Sequence, residues 1–523
     1  MLKELRRVFK DTVIYGMGSL LPKAAGLILM PIYTRVLSTA DYGIYSLSMM
    51  IASMVGVVMA LGQPGSLTLH LRHKIAEEGE TRDLLFTVVT FVMGAGALML
   101  GVLYLLGPAL VPHITKNGEL TFAPYVILAL LIAYAGLPLA MQQAVNRAKG
   151  QAKTHTLFQL AQFTLNTAFT LYFVVALRQG PAGSLKGTLT AALLVAPVAL
   201  IMLAKQMRPR FSMTWLKASL RFGLPLVPHY FAGWLLAFAD RALLARLGTM
   251  SDVGLYSVAY NLSMALNLFS TAINQAWGPI YYDLSDSDEG RAMLPRLTSV
   301  YAAAVAGIAM AFTLLAPEAL PILAAPAFAG AKIVIPLVAA GYFFFALYMV
   351  LSTPIFYAKK TKYVPLVSGA AAVLNIALNL WWIPLWGMMG AAAATLVAYA
   401  FMAGVSRTFS GRLRPGAFED SRLVRIIVVY FVSVAAAYGI MALELRPLAS
   451  IPLALAALAG CIGLLFVMGV VTRDEVRQMI ERVRSRTQRK QRAKADEAAL
   501  EAREAEAAGA SPDASGFDPD DQR

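Results

Sequence analysis

The sequence predicts an all-α polytopic membrane protein of about fourteen transmembrane helices, built from two halves that run in the same direction. Three observations carry this. Apolar runs of about 20 residues recur along the chain, each long enough to cross ~30 Å of hydrocarbon, and a helix satisfies the backbone within each run. Hydrophobic residues make up 58% of the 523 and mean hydropathy is +0.63, against roughly 45–50% apolar content in soluble domains. Finally, one stretch is written twice: RVLSTADYGIYS, Arg35 to Ser46, returns as RLGTMSDVGLYS, Arg246 to Ser257. The copies lie six expected spans apart, an even offset that makes the halves parallel repeats about an axis along the membrane normal.

The first expected span, 12–35, follows the basic leader MLKELRRVFKD. It is too long for a signal-peptide core and lacks a clear small-residue cleavage site, so it reads as a retained helix. The second, 42–66, starts inside the first repeat copy, and the third and fourth, 84–107 and 122–145, are joined by a loop holding Lys116. The fifth and sixth, 154–177 and 183–204, flank Arg178. The seventh, 219–246, runs into the second copy, from which the eighth, 252–280, departs. The ninth, 295–316, stops where Pro317, Pro321 and Pro326 punctuate the chain, and the tenth, 331–357, resumes beyond them. This boundary leaves twelve or thirteen spans open. Spans 363–384, 388–409, 422–443 and 447–471 complete the set. The expected organisation is 1–210 and 211–415 as two six-span halves, 416–471 as two further helices, and 472–523 as a charged tail.

Basic residues set the orientation, because Lys and Arg in short loops stay cytoplasmic. With the N-terminus inside, the inside connections collect Lys3, Arg6, Arg7, Lys10, Arg72, Lys74, Arg82, Arg147, Lys149, Lys153, Lys205, Arg208, Arg210 and others through Arg425. The outside keeps a far shorter set, including Arg35, Lys116, Arg178, Arg246 and Lys332. Both termini are expected to be cytoplasmic. The net charge of +15 is spread over alternate loops, as insertion requires, which excludes a nucleic-acid-binding reading. The single cysteine, Cys461, rules out an intramolecular disulfide. Beyond Val471, Val476, Met479, Ile480 and Val483 share a helical face among arginines, the pattern of a basic amphipathic helix on a membrane surface. The acidic end, GASPDASGFDPDDQR, has the composition of a solvated tail.

Ionisable residues within spans mark the candidate site, because each costs ~2.5–3.5 kcal/mol on insertion scales unless it faces a partner or a wet cavity. Lys23, beside Pro22 in the first span, is one, and Asp240 and Arg241, about two turns from the end of the seventh, are the others. Sequence neighbours point to different helix faces, so Asp240 and Arg241 are poor partners for each other. Asp240 is expected to face Lys23 across the gap between halves, and it is the candidate for ion coupling. Arg35 and Arg246, equivalent positions of the repeat, are candidate ligand contacts or interfacial anchors. Asp41 and Asp252 are placed to cap the helix that follows each copy, and Gly43 and Gly254 permit close packing. Gln142, Gln143, Asn146, Gln159, Gln162, Asn166, Asn261, Asn267, Asn274, Gln275, Asn375 and Asn379 must bond to other helices or line a cavity. With Trp277, Trp381 and Trp382 they offer surfaces suited to a glycan.

Other patterns are excluded by context. Asp286-Ser287-Asp288 has the form of a sugar-nucleotide metal site but lies on a short connection. His70 and His73 have no further ligand nearby, so no metal is expected. A Gly-rich phosphate loop ending in Lys-Ser or Lys-Thr is missing, which leaves no sign of ATP-driven transport.

The opening YGMGSLLPKAAGLILMPIYTRVLSTADYGIYSLSMM, the later RFGLPLVPHYFAGWLLAFADRALLARLGTMSDVGLYSVAYNL and INQAWGPIYY resemble polysaccharide-biosynthesis flippases of the O-antigen type. These belong to the multidrug/oligosaccharidyl-lipid/polysaccharide exporter superfamily, and the resemblance covers about residues 1–471. It implies two six-helix lobes in a V around a central cationic cavity, with Lys23, Arg241, Arg35 and Arg246 as cavity cations. It further implies a transporter, not an enzyme, without cofactor. The implied cargo is an undecaprenyl-diphosphate-linked oligosaccharide flipped across a bacterial inner membrane for surface or secreted polysaccharide, with membrane lipids, a polymerase and export machinery as partners. Asp240-Arg241 matches the Asp-Arg element of the family's seventh helix. Two extra helices, as in the related lipid II flippases, and the charged tail depart from the usual twelve-helix pattern. The competing readings are a cation-coupled multidrug exporter, disfavoured by the scarcity of embedded carboxylates, and a membrane polymerase or ligase, disfavoured by the short outside loops.

Overall fold

The computed structural model describes residues 26, 28–72, 78–116, 118–360 and 362–472. Residues 11–470 gather into one compact unit; 1–10 and 471–523 form a second, of which only Val471 and Thr472 are described. Lys23, His73 and the expected amphipathic tail helix therefore lie outside the described residues, as does most of the first span. Among the described residues the regular structure is helical throughout.

Ten described helices are long and apolar enough to cross a membrane. The chain is a multi-pass membrane protein, although this criterion does not reach the expected fourteen spans. Part of the shortfall has a geometric cause. The helix α14, Tyr363–Leu413, is two arms joined at Gly387, whose φ of 55° and ψ of −132° turn the chain back. Asn375 Nδ2 on one arm donates to Thr395 Oγ1 on the other at 3.3 Å, and the Tyr363 and Phe409 rings stack with centroids 4.7 Å apart. Twenty residues of straight helix would separate Asn375 from Thr395 by about 30 Å.

The repeat sets up the core of the fold. Helix α1, Thr39–Met59, follows the first copy and α10, Met250–Ser285, follows the second. Each begins with a capping box: Ser38 Oγ accepts from the Asp41 backbone N–H while Asp41 accepts from Ser38, and Thr249 and Asp252 repeat the arrangement. Such caps contribute about 1 kcal/mol each. The copies then pack on each other reciprocally. A methyl group at Gly43 would overlap the Met250 carbonyl oxygen, and one at Gly254 would overlap that of Thr39. Thus the ninth position of each copy meets the fifth of the other, and the twelfth positions meet directly, Ser46 Oγ lying 2.8 Å from Ser257 Oγ. Reciprocity of this kind is the mark of a two-fold relation between the copies.

Two helices break where sequence periodicity predicts continuous spans. The second span splits into α1 and α2, Gln63–Arg72, around Leu61 and Gly62, both at positive φ. The seventh splits into α8, Met213–Gly223, and α9, Leu226–Leu247, at Leu224 and Pro225. The breaks touch: a side chain at Gly62 would meet the Gly223 carbonyl, Ser219 Oγ donates to Gln63 Oε1, and Ser66 Oγ lies 2.9 Å from Ser219 Oγ.

The proline-rich boundary also differs from expectation. Helix α11, Asp288–Leu323, continues through Pro317 and Pro321. That extension buries Glu318, which pairs with Lys332 Nζ at 2.9 Å and accepts from Ser450 Oγ. Asp240 is consequently not the only carboxylate inside a helix of this fold. The last two helices, α15, Asp420–Ala442, and α16, Pro447–Val467, pack on α11 through Leu314, Ala437, Ile440 and Ala454. Arg422 and Arg425 donate to the carbonyls of Val470 and Met468, closing the end of α16.

Candidate functional site

Helix α9 carries the site because its sequence places Tyr230, Gly233, Ala237 and Arg241 at intervals of three and four, on one face. That face looks onto a cavity of about 630 Å³, whose other walls include Tyr260, Asn261, Asn267, Tyr342, Phe345, Tyr348, Ser368 and Tyr399. Aromatic rings and amides dominate the lining. A second cavity of about 510 Å³ is almost wholly apolar, lined by Met49, Ser53, Val57, Ile132 and Leu137 among others. Tyr230 belongs to both.

Arg241 is 5% exposed. Its guanidinium carbon sits 3.9 Å from the centroid of the Tyr260 ring and 5.3 Å from that of Phe238. Cation–π contact of this kind contributes about 2 kcal/mol when desolvated. It leaves Nε and Nη2 without a hydrogen-bond acceptor among the described residues. A buried cation with donors to spare at a cavity wall is set to receive an anion with two or more oxygens.

Asp240 points elsewhere and is 2% exposed. Its Oδ2 accepts from Tyr256 Oη at 2.6 Å and from Thr395 Oγ1 at 3.4 Å, and its Oδ1 from the Arg241 backbone N–H at 2.7 Å. Thr395 in turn accepts from Asn375, and Asn379 Nδ2 donates to Asn375 Oδ1 at 3.0 Å. Asn379 Oδ1 has no donor among the described residues. The carboxylate thus ends a chain of oxygens and amides that joins α9 to both arms of α14. Its partners are Tyr256 and Thr395; the expected partner, Lys23, is outside the described residues.

The other candidates are placed as follows. Neither Arg35 nor Arg246 lines either cavity: Arg35 Nη1 donates to the Pro31 carbonyl at 3.3 Å, and Arg246 Nη1 to the Thr115 carbonyl at 3.5 Å. Both stand at helix ends, Arg246 more than a turn beyond Arg241 in the same helix. Asp41, Asp252, Gly43 and Gly254 build the contact between repeat copies. Of the polar residues, Asn261 and Asn267 line the cavity, whereas Gln142 bonds to Asn146 and Gln143 to the His155 carbonyl. The tryptophans expected to offer a stacking surface are placed elsewhere: Trp277 is buried against Tyr281 and Tyr301, and Trp381 is 65% exposed outside both cavities. Asp286 accepts from Tyr357, a residue of a distant helix, and Asp288 pairs with Arg291, so both carboxylates of the D-x-D triplet are engaged. Sequence reasoning missed the tyrosine wall and the aromatic residues of α9. A signal for the latter was available in the spacing of Phe231, Trp234, Phe238 and Arg241.

Comparison with known proteins gives the family and the fold. Residues 8–285 match the family described as Polysaccharide biosynthesis protein. A curated relative, Lsg locus putative protein 1 of Haemophilus influenzae, is 25% identical over 287 residues, covering 53% of this chain and 66% of the relative, just under two thirds of its length. Among solved structures, the lipid II flippase MurJ in an inward closed conformation aligns with TM-score 0.68 at 12% identity, over 86% of this chain and 98% of that one. An inward-facing multidrug resistance MATE transporter of the MOP superfamily aligns with TM-score 0.61 at 14% identity, over 76% and 96% of the two chains. At these identities the structures establish a shared fold.

Proposed function

The chain belongs to the polysaccharide biosynthesis protein family, and from that premise we propose that it is a flippase for a diphosphate-linked oligosaccharide on a polyisoprenoid carrier such as undecaprenol. The observation that carries this reading is Arg241, a buried guanidinium in the wall of a cavity of aromatic rings and amides, two of whose nitrogens have no acceptor among the described residues. A diphosphate supplies the oxygens that Nε and Nη2 lack, and its attraction is strongest where water is excluded. Asn261, Asn267 and the tyrosine hydroxyls suit the hydroxyl groups of a glycan head. Lys23 joins Arg241 as a cavity cation in this reading, while Arg35 and Arg246 act as anchors at the end of the helices.

The protein works by alternating access between halves 1–210 and 211–415, with the helices of 416–471 outside that pair. The direction of transport is from the inner to the outer leaflet of a bacterial cytoplasmic membrane, with both termini in the cytoplasm. The glycan is destined for surface or secreted polysaccharide, so a polymerase and export machinery are the expected downstream partners. Asp240 is the ion-coupling residue: its buried carboxylate, bonded to the Tyr256 and Thr395 hydroxyls, offers a proton or a monovalent cation a water-excluded seat between α9 and α14.

Mass spectrometry of isoprenoid-diphosphate-linked glycans from cells depleted of this protein tests the reading. A complete repeat is expected to accumulate on the lipid while surface polymer is lost. If surface polymer stays intact with no accumulation, the flippase reading fails, and altered drug susceptibility in the same cells would identify the multidrug exporter instead.

A further inference from the structure

On α9, Phe231, Trp234 and Phe238 fall at i, i+3 and i+7 and share one face. Their rings form a near-parallel row: Phe231 and Trp234 have centroids 5.9 Å apart and planes 19° apart, and Trp234 and Phe238 are 5.6 Å apart at 33°. The row ends at Arg241, whose guanidinium lies over Phe238 and Tyr260. Trp234 Nε1–H donates to Ser53 Oγ at 2.9 Å, which fixes the plane of the indole. Phe238 lines the cavity that Arg241 lines, and Ser53, which Trp234 holds, lines the apolar one, so the row touches each cavity through one of these residues. It is not closed core, since Phe231 is 38% exposed.

A row of flat rings that leads to an unpartnered guanidinium, opposite amides and hydroxyls, matches an amphipathic ligand with an anionic end. A pyranose ring has C–H groups on its faces and hydroxyls around its edge, so an aromatic plane takes the face while Asn261, Asn267 and Ser368 take the edge. A polyisoprenoid chain has no use for those amides. We propose that Phe231, Trp234 and Phe238 are the stacking surface for the sugar rings of the diphosphate-linked glycan, with the phosphates at the Arg241 end of the row. This rests on the flippase reading and adds to it the residues that distinguish a glycosylated lipid diphosphate from a bare one.

The test uses the full chain in lipid nanodiscs and two synthetic probes, geranylgeranyl diphosphate and the same compound bearing chitobiose. Wild type is expected to bind the chitobiose probe more tightly. Trp234→Leu, which keeps apolar bulk and removes the ring, is expected to weaken that probe about tenfold and to leave the bare diphosphate within about twofold. Trp234→Phe should restore most of the difference. An equal loss for both probes, or none for either, overturns the stacking proposal, as does equal binding of the two probes by wild type. If wild type binds neither probe, the flippase reading itself falls. Should Trp234→Leu fail to fold, Phe231→Leu, at the most exposed ring, supplies the same comparison.

Discussion

Arg241 and Asp240 are adjacent in sequence, yet the structure gives them opposite energetic characters. Asp240 is fully engaged by Tyr256, Thr395 and a backbone amide. Arg241 has ring faces but too few acceptors. Replacing a buried cation that has two nitrogens without acceptors removes a desolvation cost, so Arg241→Gln should leave the melting temperature unchanged or raise it while reducing transport at least tenfold. A loss of both stability and transport would mark Arg241 as a structural residue. Asp240→Asn behaves oppositely. It sets an amide donor where two hydroxyls now donate, at a cost of about 1–3 kcal/mol. If Asp240 couples an ion, the variant should also lose the dependence of transport on pH or sodium, measured in proteoliposomes. Unchanged dependence at a residual rate would remove that role.

At the scale of the element, glycines decide where helices stop. Gly387 adopts backbone angles that a side chain tolerates poorly, and the turn it makes brings Asn375 to Thr395. Gly387→Ala should lower stability by about 1–3 kcal/mol, read as a fall in melting temperature. Gly404, in the second arm of the same helix, has open space around it. There alanine should be neutral or stabilising by up to about 1 kcal/mol, which makes the pair a controlled comparison. The expected spans 363–384 and 388–409 leave Gly387 between them, but the breaks inside the second and seventh spans were missed for a simple reason. Hydropathy reports that a segment is apolar enough to cross, whereas breaks at Leu61–Gly62 and Leu224–Pro225 depend on which backbone lies opposite. Helix α11 shows the converse, since its prolines punctuate the sequence without ending the helix.

Across the whole molecule, the contact between the repeat copies joins the two halves at the end bearing Arg35 and Arg246. It is made of glycines against carbonyls and of polar pairs, Ser46 with Ser257, Ser251 with Thr39 and Asn261 with Tyr42, so it is close. The proposed alternating access between the halves requires this face to part. The double substitution Ser46→Cys with Ser257→Cys places two sulfurs where the hydroxyl oxygens are 2.8 Å apart, near enough for a disulfide. Oxidation is expected to stop transport in proteoliposomes and a reductant to restore it. Full transport by the oxidised, cross-linked protein would show that the face stays closed through the cycle. The one native cysteine, Cys461, is buried and leaves this experiment a clean background.

The sequence by itself determined that this is a helical membrane protein with a repeated core, because hydrocarbon admits few backbone solutions and a duplicated motif is visible as text. It also identified Asp240, Arg241 and the cavity amides, because burying ionisable and amide groups in apolar spans is costly enough to single them out. Only the tertiary structure decided which of those groups meet. The partners of Asp240 come from α10 and α14, up to 155 residues away, and the reciprocal glycine contact spans more than two hundred positions. Such pairings depend on crossing geometry and backbone breaks that local periodicity does not encode. For the same reason Trp277 and Trp381, plausible from composition, lie away from the cavity, while the row on α9, legible in its spacing, gained a place at the site only through the fold around Arg241.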